Sequence, residues 1–325
     1  MGAMSTLPPI TATRQRIDAF RQLGRMQAGS LIISVFGDAI LPRGGRLWLG
    51  SLIELMEALG LNERLVRTSV FRLVKDEWLA TQAQGRRTDY FLTVAGQRRF
   101  DEAARQIYAA QAPGWDRRWR LVLTVGDLEP RTRDRLRRAL FWQGFGDLGG
   151  GGFVHPSADL RQVFDALLTE GMAASLPYLM PLVAANPQLG ASAHDADMVR
   201  RAWNLESLAA GYQGFVQRYR PMLDEWLDPA TRQLDDATAV QLRILLIHDY
   251  RRLLLRDPEL PEVLLPQDWP GHQARHLCKD LYQRLLEPSE RYLDAHLRLA
   301  NGDVPLCTPM LQQRFQHIQP LNVPV

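Results

Sequence analysis

The segment between positions 64 and 75 carries six basic, hydroxyl or aromatic side chains whose helical spacing suits one face: Arg64, Arg67, Thr68, Phe71, Arg72 and Lys75. An arginine can pair with O6 and N7 of guanine, and a threonine or phenylalanine can contact the methyl group of thymine. A lysine can reach a phosphate. Residue types of this kind on one helix are suited to the major groove of DNA.

A helical wheel places Val66, Val70 and Leu73 on one face of this segment, with Val74 beside them. The six polar or aromatic residues lie on the opposite face, with Arg67 at its flank. A merely solvated helix face is the alternative interpretation. An exposed Phe71 counts against it, because an exposed aromatic side chain on a polar face usually has a partner.

Two short helices joined by a tight turn are predicted to hold this face. Ser51 and Glu54 have capping-box spacing at the start of SLIELMEALG, which ends at Gly60. Asn62 is a good N-cap for ERLVRTSVFRLVKDEWL, the second helix. The pair is therefore predicted to form a helix-turn-helix.

After position 78 the apolar period changes from 3.6 to 2, which predicts a β-hairpin of LATQA and DYFLT. Its tip consists of Gln84, Gly85, Arg86 and Arg87. Arg86 and Arg87 are candidates to enter the minor groove or to hold phosphates, with an ordinary basic surface as the alternative.

The hairpin is preceded by a predicted helix, SLIISVFGDAIL, and a short strand, RLWLG, and is followed by a helix that Thr93 caps. Helix, strand, helix, helix, hairpin and helix is the order of a winged helix-turn-helix. We assign it to residues 25–110.

Residues 115–188 are predicted to form a ferredoxin-like domain, with the order βαββαβ beginning at WRLVLTV. The glycines at 149–152 fit a hairpin turn and lack the lysine and Ser/Thr of a phosphate-binding loop. The first helix of this domain carries Arg131, Arg133, Arg135, Arg137 and Arg138. They can contact DNA phosphate or an acidic ligand, but we favour a solvated face balanced by Asp127, Glu129 and Asp134.

Residues 195–305 are predicted to form a mostly helical C-terminal domain. AlaProGly at 112–114 and NPQLGASAHDAD at 186–197 are breaks or linkers by composition. Helices are predicted over 197–227, 236–256 and 271–299. DPELPEVLLPQDWPG, between the last two, contains four prolines and cannot be helical. The predicted fold class is α+β with several domains.

The composition is that of a folded protein, with 46% hydrophobic and 23% charged residues in a chain of 325. The first 110 residues hold 15 Arg and Lys against 10 Asp and Glu, so positive charge is concentrated in the predicted DNA-binding segment. Cys278 and Cys307 have no metal-ligand spacing, and no secretory or membrane-spanning segment is evident. We expect a cytoplasmic protein without a membrane partner, a metal or a cofactor.

Catalytic patterns find little support in the sequence. His248 and Asp249 are adjacent, so on a helix they point about 100° apart and cannot act as a base and its orienting carboxylate. His276 and Cys278 lie on different faces, and no GxSxG or HExxH motif occurs. Asp127 can be read as a metal-binding carboxylate, although a strand-end aspartate is usually a turn or cap residue. We therefore predict that the chain is not an enzyme.

Nearly the whole chain, from about Ser30 to Leu299, resembles the phenylacetate-degradation repressor family, PaaX. The resemblance is carried by VRTSVFRLVKDEWL (66–79), GRRTDYFLT (85–93), RAWNLESLAAGYQGF (201–215) and IHDYRRLLLRDPELPEVLLPQDWPG (247–271). The last of these is the most specific, because a proline-punctuated segment is hard to match by chance. Asp249 is a mild departure, since the family usually has Glu at this position.

The resemblance implies a Cas2-like middle domain and a homodimeric repressor that binds double-stranded operator DNA of aromatic-acid catabolic genes. It also implies release from DNA by phenylacetyl-CoA or a related aryl-CoA thioester. A phenyl group needs an apolar cleft, and the anionic nucleotide end needs arginine donors. The candidates in the most specific segment are Arg251, Arg252, Arg256 and Trp269. A structural role in locking the proline-rich loop is the alternative for these four.

Two other classes of function stay open at this point. A Cas2-like fold can act as a metal-dependent nuclease, here through Asp127. A DNA-binding scaffold that dimerises without sensing a metabolite is the other.

Overall fold

The computed structural model describes residues 11–22, 28–109, 113–186, 192–228, 234–309, 311 and 314–315. Residues 25–27 of the predicted first domain, Ala112 of the predicted break and 187–191 of the predicted linker lie outside the described residues. The helices are α1 (Thr11–Arg21), α2 (Ala28–Val35), α3 (Leu49–Glu57), α4 (Glu63–Lys75), α5 (Val94–Ile107), α6 (Pro130–Trp142), α7 (Leu160–Thr169), α8 (Asp195–Ala202), α9 (Leu205–Leu227), α10 (Asp236–Leu254) and α11 (Pro270–His296). The strands are β1 (Arg46–Trp48), β2 (Leu79–Gln84), β3 (Arg87–Leu92), β4 (Trp119–Thr124), β5 (Gly146–Gly149), β6 (Gly152–His155) and β7 (Leu179–Ala184).

The chain divides into two compact units. The first contains residues 1–110, 212–252 and 271–325, and the second contains 111–211 and 253–270. The predicted helical segment 195–305 therefore contributes to both units, and its ends are not the boundaries of a compact body. The reason is that most of α10 and nearly all of α11 belong to the same unit as the N-terminal helices, while the proline-rich loop between them belongs to the other.

The first unit contains an antiparallel three-stranded sheet in the order β1-β3-β2. Tyr90 of β3 pairs with Leu47 on one side and with Thr81 on the other. The turn between β2 and β3 consists of Gly85, with φ +61°, and Arg86. Helices α3 and α4 pack on this sheet and α2 packs on α4. Ile32, Met56 and Val66 in their common core are fully buried.

The start of α3 differs from the prediction. The helix begins at Leu49, after Trp48 in extended conformation, and no side chain caps it. Ser51 is instead buried, and its Oγ accepts a hydrogen bond of 3.0 Å from the backbone N–H of Arg298. The predicted capping box is therefore wrong, because the hydroxyl group that was expected to cap the helix binds a backbone group far along the chain.

The second unit contains an antiparallel four-stranded sheet in the order β5-β6-β4-β7. Val122 of β4 pairs with Phe153 of β6 and with Pro181 of β7. The connections β4-α6-β5 and β6-α7-β7 confirm the predicted βαββαβ order. The hairpin turn uses Gly149, Gly150 and Gly151, all with positive φ, as the glycine run predicted.

One predicted helix, over 197–227, is broken into α8 and α9. Trp203 is extended, and its indole N–H donates to the carbonyl oxygen of Gly144 at 3.1 Å. The Oδ1 atom of Asn204 accepts the backbone N–H of Ser207 at 3.1 Å and thereby starts α9. The side chain of Trp203 thus fixes the break by packing against the sheet of its own unit.

The charges on α6 are less balanced than the sequence analysis expected. Among the described residues its one ion pair joins Arg137 to Asp134, at 3.7 Å between two exposed side chains. Arg133, Arg135 and Arg138 donate to backbone carbonyl oxygens instead. Within the described ranges, no ion pair joins these guanidinium groups to Asp127 or Glu129, the other two acidic residues that were expected to balance them.

None of the helices in the described part of the chain is long and apolar enough to cross a membrane.

Candidate DNA-binding surface

Helix α4 is built by local signals at both of its ends. Asn62, its N-cap, accepts the backbone N–H of Leu65 on its side chain at 2.9 Å. Glu63 lies in the first turn and Arg72 and Lys75 lie in the last, which suits the helix dipole. The predicted N-cap is therefore confirmed, and Gly60, with φ +87°, ends the preceding segment as predicted.

The two faces of α4 separate as the helical wheel predicted. Val66, Ser69, Val70 and Leu73 are buried. The candidate contact residues on the other face are all exposed: Arg64, Arg67, Thr68, Phe71, Arg72 and Lys75. Phe71 has 71% of its surface exposed, although full burial of such a ring is worth about 1.5–3 kcal/mol. A helix that keeps this ring in solvent offers it to a partner.

Two of the exposed residues have partners within the helix. The Arg67 guanidinium lies 2.6 Å from the Glu63 carboxylate, one turn earlier. The Thr68 hydroxyl donates to the Arg64 carbonyl oxygen at 2.8 Å. The side chains of Arg64, Arg72 and Lys75 bond to no residue in the described part of the chain. These three cations are therefore the groups of this surface that are most available to bind a partner.

The two arginines of the hairpin differ in their surroundings. Arg86 lies in the turn and is exposed. Arg87 is the first residue of β3, and its guanidinium lies 4.6 Å from the ring centroid of Trp48. This cation–π contact fixes the direction of Arg87. No local sequence pattern reveals Trp48 as the partner of Arg87, because the contact depends on the pairing of β1 with β3.

The four candidate effector residues are divided between the units. Arg251 and Arg252 belong to the first unit, and Arg256 and Trp269 to the second. Arg252 and Arg256 are exposed, whereas Trp269 is buried.

Arg251 has a structural role in the first unit. Its Nη2 atom donates to the carbonyl oxygen of Ser30 at 3.1 Å and to its hydroxyl group at 2.7 Å. Its Nε donates to the hydroxyl group of Ser34 at 3.2 Å. Burial, and next the nearby charge of Arg252, lowers the pKa of Arg251 from its ordinary value. The guanidinium therefore ties α10 to α2, which is a structural role other than the locking of the proline-rich loop that the sequence suggested.

His248 and Asp249 point to different partners, as predicted from their adjacent positions. The His248 Nδ1 atom lies 3.1 Å from the Ser34 hydroxyl, and burial lowers the pKa of this imidazole to about 4. Asp249 instead accepts from Arg16 at 2.6 Å and from Tyr219 at 2.9 Å. The two residues form separate structural contacts, and neither orients the other as in a catalytic pair.

Asp127 is exposed after β4. Within the described ranges, no group of three or more His, Cys, Asp or Glu residues is placed to hold a metal ion.

A helix pair whose second helix is capped and has a basic outward face, followed by a hairpin with an arginine at its turn, is typical of transcription regulators that bind DNA.

The comparisons with known proteins identify the family. Three family models match the chain: "PaaX-like protein" at residues 27–96, "PaaX protein central Cas2-like domain" at 112–191 and "PaaX-like protein C-terminal domain" at 203–295. The transcriptional repressor PaaX of Escherichia coli K12 is 38% identical over 289 residues, which cover 88% of this chain and 89% of that protein. The chain therefore belongs to the PaaX family, as the sequence motifs predicted, and its middle domain is Cas2-like.

A solved structure shares the fold. The uncharacterized protein Rv0674 from Mycobacterium tuberculosis superposes with a TM-score of 0.52 at 24% identity, over 81% of this chain and 97% of that one.

Proposed function

We propose that the chain is a transcriptional repressor of phenylacetate catabolic genes, that it binds operator DNA as a homodimer, and that phenylacetyl-CoA releases it. The observation that carries the DNA-binding part is the outward face of α4, where Arg64, Arg72 and Lys75 surround an exposed Phe71. The 38% identity to a repressor supports the regulatory part. The protein acts without catalysis and in the cytoplasm.

Residues 25–110 act in this proposal as a winged helix-turn-helix. Helix α4 enters the major groove, where Arg72 pairs with guanine and Phe71 packs on a thymine methyl group. The hairpin is the wing, and Arg86 at its turn holds a phosphate. The support for these roles is exposure: the side chains are directed away from the core that Val66 and Val70 form.

A homodimer is proposed because a single winged helix reads few base pairs. Two copies related by a twofold axis read two half-sites about one helical turn or more apart, and this multiplies the discrimination against other sequences. Footprinting is expected to show an inverted repeat. A single unrepeated footprint, together with a monomer in sedimentation at micromolar concentration, would contradict the dimer.

Release by phenylacetyl-CoA requires a difference in affinity. The thioester shifts the occupancy of the operator only if it binds the free protein more tightly than the DNA-bound protein. Arg251, Arg252, Arg256 and Trp269 are retained as effector candidates. For Arg251 the proposal requires that binding replaces or adds to its bonds with Ser30 and Ser34.

Gel shifts on operator DNA test the proposal, with phenylacetyl-CoA, free phenylacetate and acetyl-CoA added in parallel. The thioester is expected to release the protein at concentrations at which the other two do not. Equal effects of all three would reject the specificity for an aryl-CoA, and no effect of any would leave a DNA-binding scaffold. Cleavage of plasmid DNA with added Mg²⁺ or Mn²⁺ would support the nuclease alternative, which no observation on Asp127 favours.

A further inference from the structure

The outward face of α6 in the second unit combines positive charge with exposed aromatic rings. Phe141 is 58% exposed and Trp142 is 71% exposed, with their ring centroids 6.3 Å apart. These are neighbouring residues at the end of the arginine-rich helix, and the functions assigned to α4 and to the hairpin do not use them. Large exposed aromatic side chains mark surfaces that contact a partner.

The pattern of burial defines which residues share this face. Leu136, Ala139 and Leu140 are buried against the sheet. At 100° per residue, Arg131, Arg138 and Trp142 fall within about 40° of one another on the side opposite Leu140. At 1.5 Å per residue they extend over about 16 Å of the helix axis. One continuous stripe of the helix therefore presents two cations and an indole N–H donor to solvent.

The charge of this helix is not compensated by its surroundings. It holds five of the twelve basic residues of the second unit but only one of its fifteen acidic residues, Asp134. Arg133, Arg135 and Arg138 donate to carbonyl oxygens, which satisfies N–H groups but leaves the positive charge in place. Arg131 makes no hydrogen bond or ion pair with any residue that the structure describes. In a unit that is otherwise acidic, the positive charge is concentrated on one helix.

We infer that the stripe Arg131–Arg138–Trp142 of α6 is a second DNA-contacting surface, which binds the phosphate backbone of the duplex without reading its sequence. This inference rests on the proposed function of the chain. A duplex carries one negative charge about every 1.7 Å of its length, so about 16 Å of cationic helix meets several phosphates. Guanidinium groups and an indole N–H are donors to phosphate oxygens, and none of them selects a base.

The alternative occupant of this face is a second copy of the chain. Phe141 and Trp142 supply apolar area for such a contact, but two copies would bring two α6 helices with uncompensated charge together. Repulsion of like charges across an interface opposes that arrangement. A polyanion fits both the charge and the donors, so DNA is the partner that the observations favour.

The test compares three variants on operator DNA and on a random duplex across a salt series. Arg131→Ala/Arg138→Ala is expected to lower the affinity for both DNAs alike. It is also expected to lower the slope of log affinity against log salt by about two units. Trp142→Ala is expected to lower the affinity for both DNAs without changing this slope. Arg161→Ala, which removes an exposed arginine of α7 in the same unit, is the matched control and is expected to bind like the wild type. Thermal melts of all three check that the fold is unchanged.

Other outcomes overturn the inference. It fails if the double variant binds like Arg161→Ala, or if it loses affinity for the operator only. It also fails if Trp142→Ala sediments as a smaller species and keeps full DNA affinity at saturating protein, because the face is then a contact between copies. Arg72→Ala, measured in parallel, separates the two proposals. If that variant loses its preference for the operator, the proposed function is supported even when the α6 variants bind like the wild type. A wild-type chain that binds neither DNA overturns both.

Discussion

The carboxylate of Asp38 and the guanidinium of Arg243 form an ion pair in the interior of the first unit, with 2.8 Å between Oδ2 and Nε and both side chains 1% exposed. Arg314 adds a second cation at 2.8 Å, and the hydroxyl groups of Tyr108 and Tyr282 donate to the same carboxylate. Arg243, Tyr282 and Arg314 each lie more than 200 positions from Asp38 in the sequence, and Tyr108 lies 70 positions from it. Desolvation by itself would raise the pKa of Asp38, but Arg243 and Arg314 outweigh it and lower this pKa below its ordinary value.

Asp38→Asn is expected to lower the free energy of unfolding by about 3–5 kcal/mol, because the buried guanidinium of Arg314 loses its ion pair with Asp38 and that of Arg243 keeps only its pair with Glu290. Urea unfolding at neutral pH measures it. The matched control is Asp18→Asn, which removes the exposed pair with Arg21 at 3.2 Å and is expected to cost about 0–1 kcal/mol. Equal losses in the two variants would show that the buried cluster contributes no more than a surface pair.

The buried imidazole of His248 predicts a loss of stability in acid. Its folded pKa of about 4 lies below the ordinary value of 6.5, so the unfolded chain takes up a proton first as the pH falls. The contribution of this imidazole to the free energy of unfolding is complete above pH 6.5. It is lost as the pH falls from 6.5 to 4. Between pH 7.5 and pH 5 the loss is on the order of 2 kcal/mol.

Urea unfolding of the wild type and of His248→Asn at the two pH values measures this contribution. The variant is expected to lose less stability on acidification. His155, whose pKa is also lowered to about 4, titrates in both proteins and cancels in the comparison. A variant that loses as much stability as the wild type would contradict the assignment to His248.

Arg72→Ala is expected to weaken operator binding by about 1–3 kcal/mol and to change binding to random DNA little, because pairing with guanine is specific. Fluorescence anisotropy on both duplexes checks this. The side chain is exposed and bonds to no described residue, so the melting temperature is expected to stay the same. Equal losses on both duplexes would show that Arg72 holds phosphate instead.

Arg86→Ala is expected to lower the affinity for operator and random DNA similarly. It is expected to reduce the slope of log affinity against log salt by about one unit, as the loss of one phosphate contact does. Affinity across a salt series measures both quantities. Arg87→Ala is the informative companion, because its cation–π contact with Trp48 holds that side chain on the sheet. A selective loss of operator binding in Arg86→Ala would indicate a base contact in the minor groove.

Val70→Ala is expected to lower the free energy of unfolding by about 1–3 kcal/mol, because it removes methyl groups that are 1% exposed. Thermal melts test it, alongside DNA binding at a temperature at which the variant is folded. Binding by the folded variant is expected to be close to that of the wild type. A stable variant that has lost operator binding would place Val70 on the DNA-contacting face.

The sequence by itself determined the elements whose signals are local. Asn62 caps α4 through a backbone group three residues away, and the burial of Val66, Val70 and Leu73 follows from the helical period. The glycines at 149–151 mark a hairpin because few other residues adopt their positive φ. The outward face of α4 was predictable for the same reason: both faces are set within two or three turns of one helix.

The tertiary structure alone decided which distant groups meet. The hydroxyl group of Ser51 fits a capping box in the sequence, yet in the structure it accepts a hydrogen bond from the N–H of Arg298. Arg251 fits an anion site, yet it bonds to Ser30. These partners lie more than 200 residues away, and a side-chain donor or acceptor goes to whatever polar group the packing of the chain brings to it. Backbone periodicity is encoded in a few neighbouring residues, whereas the pairing of buried polar groups depends on how the whole unit folds.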